Sequence, residues 1–295
     1  MATRTTSCAG WLAWPVAGDL WDDETWHELT SRAVRRARGA GVLTVLPLAL
    51  TYRAAVHVHA GEFAAASELI EEADTLTEAT GNAPLRYSAL LLLVWRGQEA
   101  EASTLIQAGT PQATARGEGR AIGQIDYLTA VLYNGLGQYQ DALASAQRAC
   151  EYEDLGVFGF ALVELVGAGA RSDAIEVAKA ALRRLEERAD ASGTDWALGI
   201  LARSTALLSA GQAADSLYRE AIAHLERSRI AVHLARTHLV YGEWLRRENR
   251  RLDAQTIANR LREAARFRRR SLRRTRPSRT LGHRRVGTPT HGRGA

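Results

Sequence analysis

Apolar positions recur along most of this chain at intervals of three and four, the spacing of one face of an α-helix. The clearest stretch runs from Gly137 to Ala149, Gly-Gln-Tyr-Gln-Asp-Ala-Leu-Ala-Ser-Ala-Gln-Arg-Ala. It reads as a helix end, a tight turn and a new helix. Gly137 can take a positive φ and stop the first helix. Ala142, Ala146 and Ala149 then fall on one face of the second. The same turn-plus-small-residue pattern is read at Gly61/Ala66, Gly97/Ala102, Gly137/Ala142, Gly169/Ala174, Gly211/Ser216 and Asn249/Ala254. Each turn lies between two apolar-periodic segments of helix length, about 43–60 and 63–80 in the first unit and about 120–136 and 139–152 in the third. Small residues seven positions before a turn, Ala54, Ala130, Ser204 and Gly242, supply a matching contact on the upstream helix. Ahead of this series, Asp22 or Asp23 can cap a helix running to about Arg38, closed by Gly39-Ala40-Gly41. It reads as the second helix of a repeat whose first helix is absent or degraded. Residues 1–21 look irregular; Trp11, Trp14 and Trp21 stand among Gly and Pro and are expected to pack on the first helix or on something outside this chain.

The turn spacings of 36, 40, 32, 42 and 38 residues are those of a repeat architecture. One amphipathic hairpin cannot bury its apolar face alone, whereas a stack of hairpins makes a continuous core. Scarce Pro (6 residues) and an Ala- and Leu-rich composition point the same way. The pattern resembles the tetratricopeptide (TPR) repeat, with a small residue on the first helix and spaced alanines on the second. It departs from that repeat in its unequal spacing and in lacking most of the first-helix Trp and closing Pro residues. The expected fold is therefore all-α: a TPR-like helix-hairpin solenoid of about six divergent repeats over 22–261, after an irregular segment 1–21 and before an Arg-rich, disordered basic tail over 262–295. An irregular α-bundle is the alternative.

Charge separates the tail from the body. Residues 260–295 carry thirteen Arg and one Glu, a net +12, against +5 for the whole chain, which leaves residues 1–259 at −7. Arg268, Arg269, Arg270, Arg273 and Arg274 could hold nucleic-acid phosphates without sequence preference. Aromatic residues for base stacking are not interleaved with them. A shifted reading frame near residues 255–262 of a GC-rich gene would also produce such text, making the chain a truncated or frameshifted product.

Catalytic signals are poor. There is no GxxxxGK[ST], CxxC, HExxH or GxSxG, and Gly117-Glu118-Gly119-Arg120-Ala121-Ile122-Gly123 has the wrong spacing for a dinucleotide fingerprint. His57 and His59 are two apart on a predicted helix and face different ways, while His233 and His238 are five apart. Cys150 reads as a small hydrophobe in an Ala-rich helix, and two distant cysteines, Cys8 and Cys150, fit a reducing cytoplasmic setting. The longest apolar run, Ala89 to Trp95, falls far short of the roughly 20 residues of a membrane span. No enzyme, metal or cofactor is expected of this chain, and no membrane partner.

A solenoid of helix pairs presents a concave face lined by first helices, suited to a protein, a peptide or a small effector. The TPR register places Tyr87, Gln124, Tyr127, Asn134, Arg236 and Glu243 on that face. Longer strings carry a second resemblance. Leu20-Trp21-Asp22-Asp23-Glu24-Thr25-Trp26-His27-Glu28-Leu29, Gly41 to Leu50, His59 to Ala66, Leu92 to Ala102 and Arg236 to Ala254 resemble, in order, the helical-repeat region of the large ATP-binding LuxR-type (MalT-like) transcriptional regulators. That resemblance implies a sensor or protein-interaction segment of a regulator whose family plan adds an ATPase module before it and a helix-turn-helix DNA reader after it. Neither module is found in this sequence, so ATP and specific DNA contacts are expected only of the full-length family. A stand-alone TPR-like adaptor for a protein or peptide partner is the alternative.

Overall fold

The structure, a computed structural model, describes residues 9–81 and 85–259. These residues form helices joined by short turns, with no strand among them. The helices pair in chain order: α1 (Ala9–Asp19) with α2 (Asp23–Gly39), α3 (Leu46–His59) with α4 (Phe63–Thr80), and α5 (Tyr87–Arg96) with α6 (Glu99–Ala115). The pairs α7 (Gly119–Leu136) and α8 (Tyr139–Ala149), α9 (Phe158–Gly169) and α10 (Ile175–Ser192), and α11 (Asp195–Leu207) and α12 (Gly211–Glu226) follow. The last first helix, α13 (Ala231–Arg247), pairs with a helical stretch over 251–259. This is the all-α repeat array that the periodicity predicts, with the first- and third-unit helices within a few residues of their expected ends. No helix among the described residues is long and apolar enough to cross a membrane. Arg268, Arg269, Arg270, Arg273, Arg274, the rest of the tail from 260 on, and Cys8 lie outside the described residues.

Three expectations need correction. Residues 1–21 are not irregular throughout, because Ala9–Asp19 is a helix packed on α2. It is the first helix of the opening hairpin, so α2 does not lack its partner. The turn between them holds Trp21 at φ 53°, in the position that Gly61 (φ 72°) occupies in the next hairpin. A bulky residue seldom sits there.

The fourth turn is set one helical turn too early by the sequence pattern. Gly169 is still inside α9, and the left-handed residue is Asp173 at φ 59°. Asp, like Asn249 at φ 60°, tolerates this region through its short polar side chain. Gly169 instead permits close approach: a Cβ there would stand 3.0 Å from the Cβ of Ala178. The buried alanine of this unit is therefore Ala178, while Ala174 is the half-buried N-cap of α10.

In the fifth unit Ser216 is exposed and Ala214 is fully buried. The buried alanines are thus Ala66, Ala102, Ala142, Ala178, Ala214 and Ala254, at spacings of 36, 40, 36, 36 and 40, more regular than the turns themselves. Each lets its helix lie close against its partner, and Trp26, 40 residues before Ala66, takes the equivalent place in the opening hairpin.

The array closes on itself. First helices α3, α5, α7, α9 and α11 lie side by side in succession, and α13 comes back to touch α3. The α1–α2 turn docks on hairpins far along the chain. Asp19 accepts from the Gly156 backbone N–H (3.0 Å) and pairs with Arg188 (2.8 Å). The carbonyls of Leu20 and Trp21 accept from the Ser192 and Thr194 hydroxyls at 2.5 and 2.9 Å. Asp23 accepts from the Arg229 N–H at 2.7 Å. Trp21 lies fully buried against Phe160, over Gly159, where an added Cβ would come within 2.8 Å of the indole.

Candidate functional site

The closed array has an interior to which every first helix from α3 to α13 contributes. An aromatic layer comes first. Phe160 of α9 lies 5.8 Å from Tyr127 (α7), 5.9 Å from His59 (α3) and 5.6 Å from Trp196 (α11), measured between ring centroids. His233 of α13 sits edge-on to Trp95 of α5 at 5.3 Å and stacks on His59 at 6.0 Å. Trp26 completes the layer, stacked on Trp196 at 5.9 Å. Such offset and edge-on contacts hold rings in fixed relative positions.

Both histidines are uncharged here. His59 Nδ1 donates to the Ala55 carbonyl at 3.0 Å, because a carbonyl can only accept, and this leaves Nε2 a bare acceptor with no partner among the described residues. Burial pushes its pKa down to about 4, with the bond to Ala55 pulling weakly the other way. Burial also drives His233 well below the usual value, helped by the neighbouring charge of Arg203.

Beside this layer is a cavity of about 430 Å³. It is lined largely by apolar and aromatic groups, among them Trp26, Tyr52, Leu91 and Phe160, with His59 also in the lining. Polar groups enter from the start of α7 and the residues just before it, Glu118, Arg120 and Gln124, and from Tyr87 at the start of α5. The size falls within the range of small-molecule sites, as does an apolar lining with a few placed polar groups. Burial raises the Tyr87 phenol's pKa, and nearby Glu118 adds to the effect.

A polar layer lies on the α9, α11 and α13 side. Glu164 of α9 is 1 % exposed and takes both Arg236 guanidinium nitrogens at 2.7 Å, with Asn134 Nδ2 donating at 2.9 Å. Burial works against the charge of Arg236, but the Glu164 carboxylate overrides it and raises its pKa. Tyr127 is kept un-ionised by burial and then by the field of Glu164. Arg203 is 3 % exposed and bonds no carboxylate among the described residues; burial first, and then the charge of Arg236, bring its pKa down to about 9. Cys150, at the end of α8, is a half-buried free thiol whose pKa burial raises to about 12.

The six residues expected on a concave face do not share one open groove. Tyr87, Gln124 and Tyr127 line the cavity. Asn134 and Arg236 instead meet on Glu164 in the buried polar layer. Glu243 is exposed, with its carboxylate 3.8 Å from Arg171. Sequence reasoning missed His59, Phe160, Trp196, Glu164, Arg171 and Arg203 as site residues. Counted from the buried alanines, His59, Trp95, Arg171 and Arg247 all stand seven positions upstream; Leu91, Arg203 and Glu243 stand eleven upstream; Gln124, Phe160, Trp196 and Arg236 stand eighteen upstream. That register is the signal that would have found most of them. His57, unlike His59, faces outward and meets Glu62 at 2.5 Å. Among the described residues no three His, Cys, Asp or Glu side chains come together as a metal site. Comparison with family models, with curated proteins and with solved structures gives no match.

Proposed function

We propose that this chain is the sensing segment of a LuxR-type transcriptional regulator and works without catalysis. Its effector is a small molecule with an apolar or aromatic body, bound in the cavity between α1, α3, α5 and α7. The observation that carries this reading is a cavity of small-molecule size beside the aromatic layer of the closed array. A peptide partner needs an open concave face, and here aromatic rings from the first to the last hairpin fill the axis. Gln124 and Tyr87 offer donors to the effector from two parts of the lining. The LuxR assignment rests on the ordered sequence strings, and the effector class rests on the cavity.

The test is a small-molecule screen against the full chain by thermal shift, followed by calorimetry, alongside Ala55→Trp, which fills the cavity from α3. Saturable binding that Ala55→Trp abolishes supports the reading. Binding that is unaffected by the tryptophan, or absent across a library of apolar and aromatic metabolites, overturns it. The regulatory part is tested in a reporter strain carrying the complete gene, where Ala55→Trp is expected to remove the response to the ligand found.

A further inference from the structure

The polar layer is not electrically balanced. Three arginines reach it, Arg171 from the turn after α9, Arg203 from α11 and Arg236 from α13, with side chains 12 % exposed for Arg171 and 17 % for Arg236 and Arg203 3 % exposed overall. Among the described residues the one buried carboxylate they face is Glu164, whose oxygens are committed to Arg236 and Asn134. Arg203 makes two long contacts among the described residues, to His233 Nδ1 at 3.4 Å and to the His233 carbonyl at 3.5 Å. Arg171 donates to the Gly167 carbonyl at 3.3 Å, and its nearest carboxylate, Glu243, stays at 3.8 Å, beyond hydrogen-bond distance.

Buried charges are ordinarily paired, and a guanidinium does not shed its proton to escape the cost. Among the described residues Arg203 therefore lacks a counter-charge in contact, and Arg171 has only the long pair with the exposed Glu243 at 3.8 Å and the face of the Tyr139 ring at 5.4 Å. A neutral donor adds to the excess: Tyr218 of α12 is fully buried, its hydroxyl has no partner among the described residues, and Arg171 and Arg203 are among the charges acting on it. Gly167 has no side chain between Arg171 and Asn134; a Cβ there would lie 3.7 Å from both Arg171 Nη1 and Asn134 Nδ2.

We propose that this layer is an oxyanion site, in which Arg171 and Arg203 hold a carboxylate or phosphoryl group with the Tyr218 hydroxyl as a further donor. Arg fits both groups through paired N–H donors, and such charge-assisted bonds are the strong ones. The site is distinct from the apolar cavity and does not depend on the effector reading. Glu164 keeps Arg236 in place and so leaves the other two guanidiniums to the ligand.

The test uses the full chain and three probes at matched ionic strength: inorganic phosphate, acetate and chloride. Thermal shift and calorimetry are expected to show saturable binding of phosphate, acetate or both, above the chloride baseline. The probe that binds tells a phosphoryl ligand from a carboxylate. Arg203→Met is expected to weaken that binding about 10- to 100-fold, the loss of one charge-assisted contact. Arg171→Gln, at the more accessible edge, is expected to do the same and serves if the first variant does not fold. Phosphate and acetate acting no differently from chloride on the unmodified protein overturns the proposal. So does undiminished anion binding in a folded Arg203→Met or Arg171→Gln.

Discussion

Removing the carboxylate of Glu164 is the perturbation with the largest effect expected in the interior. Glu164 is 1 % exposed, and it neutralises Arg236 through two bonds of 2.7 Å while accepting from Asn134 at 2.9 Å. In Glu164→Leu the chain at that position stays apolar and of similar bulk, but Arg236 joins Arg203 and Arg171 without any buried counter-charge. Breaking a buried pair from one side costs about 3–5 kcal/mol. Replacing both members by apolar groups of similar volume is often neutral or stabilising. Glu164→Leu/Arg236→Met should therefore recover at least about half of the loss seen in Glu164→Leu. Urea unfolding followed by far-UV circular dichroism and by tryptophan fluorescence measures both, with the m-value checked for constancy. A loss below about 1 kcal/mol in Glu164→Leu, or a double variant as unstable as the sum of the singles, would refute the argument that the unpaired charge is what costs.

The histidines predict a pH dependence. The folded chain resists protonating His59 until about pH 4, whereas the unfolded chain takes up that proton near pH 6.5. Stability is therefore flat on this account above pH 6.5 and falls as pH drops from 6.5 towards 4, by up to about 1.4 kcal/mol per unit for each histidine. His59→Phe should remove about one histidine's share of that slope when urea midpoints are compared at pH 7 and 5, and an unchanged slope would contradict the burial argument. Gly199→Ala in α11 would bring a Cβ within 2.6 Å of Leu225 Cγ and 3.3 Å of the Ala221 carbonyl. It should cost about 1–3 kcal/mol by overpacking, while Gly39→Ala, which meets nothing within 4 Å, should be neutral or slightly stabilising in the same melts. Asp19→Ala removes the acceptor of Gly156 N–H and the partner of Arg188. Hydrogen exchange should then speed up first in α1 and α2, and exchange that stays uniform with the rest of the array would mean that these contacts do not hold the opening hairpin.

Much of the fold was legible because its signal is local. A turn residue able to adopt positive φ, an apolar period of three to four and a small residue soon after the turn each depend on a few neighbouring positions. The helices of the first and third units follow from them to within three residues at each end. Failure came where another residue does the same job. Trp21 and Asp173 take left-handed turns that a search for Gly or Asn passes over, and Trp26 takes the alanine position of the opening hairpin. Gly169, conversely, looks like a turn glycine but is needed for packing against Ala178. These substitutions account for most of the site residues that were missed, His59 of the correctly phased first unit being the exception. All six expected positions come from the second, third and sixth units, where the phase was right. None comes from the fourth and fifth, where it was displaced, and those are the units that hold Phe160, Glu164, Arg171, Trp196 and Arg203.

Phase alone would still not have shown that the concave face is an interior. In an open solenoid each repeat meets only its neighbours, so first-helix positions are a groove. Here Asp19, Leu20, Trp21 and Asp23 bond partners 137 to 206 residues away. None of those contacts has a periodic signature, since each is a single carbonyl or carboxylate meeting a hydroxyl, a guanidinium or an N–H at a helix end. They bring the opening hairpin across the array, and Trp26 and His59 then meet Trp196 and His233. Once those rings touch, the first helices enclose their own side chains. A tyrosine such as Tyr127, an ordinary groove residue in an open array, becomes a buried wall between the cavity and Glu164. The same closure separates an apolar cavity among the early hairpins from a cationic layer among the late ones. Both are consequences of ring closure by an N-terminal segment whose tryptophans were the least periodic feature of the chain.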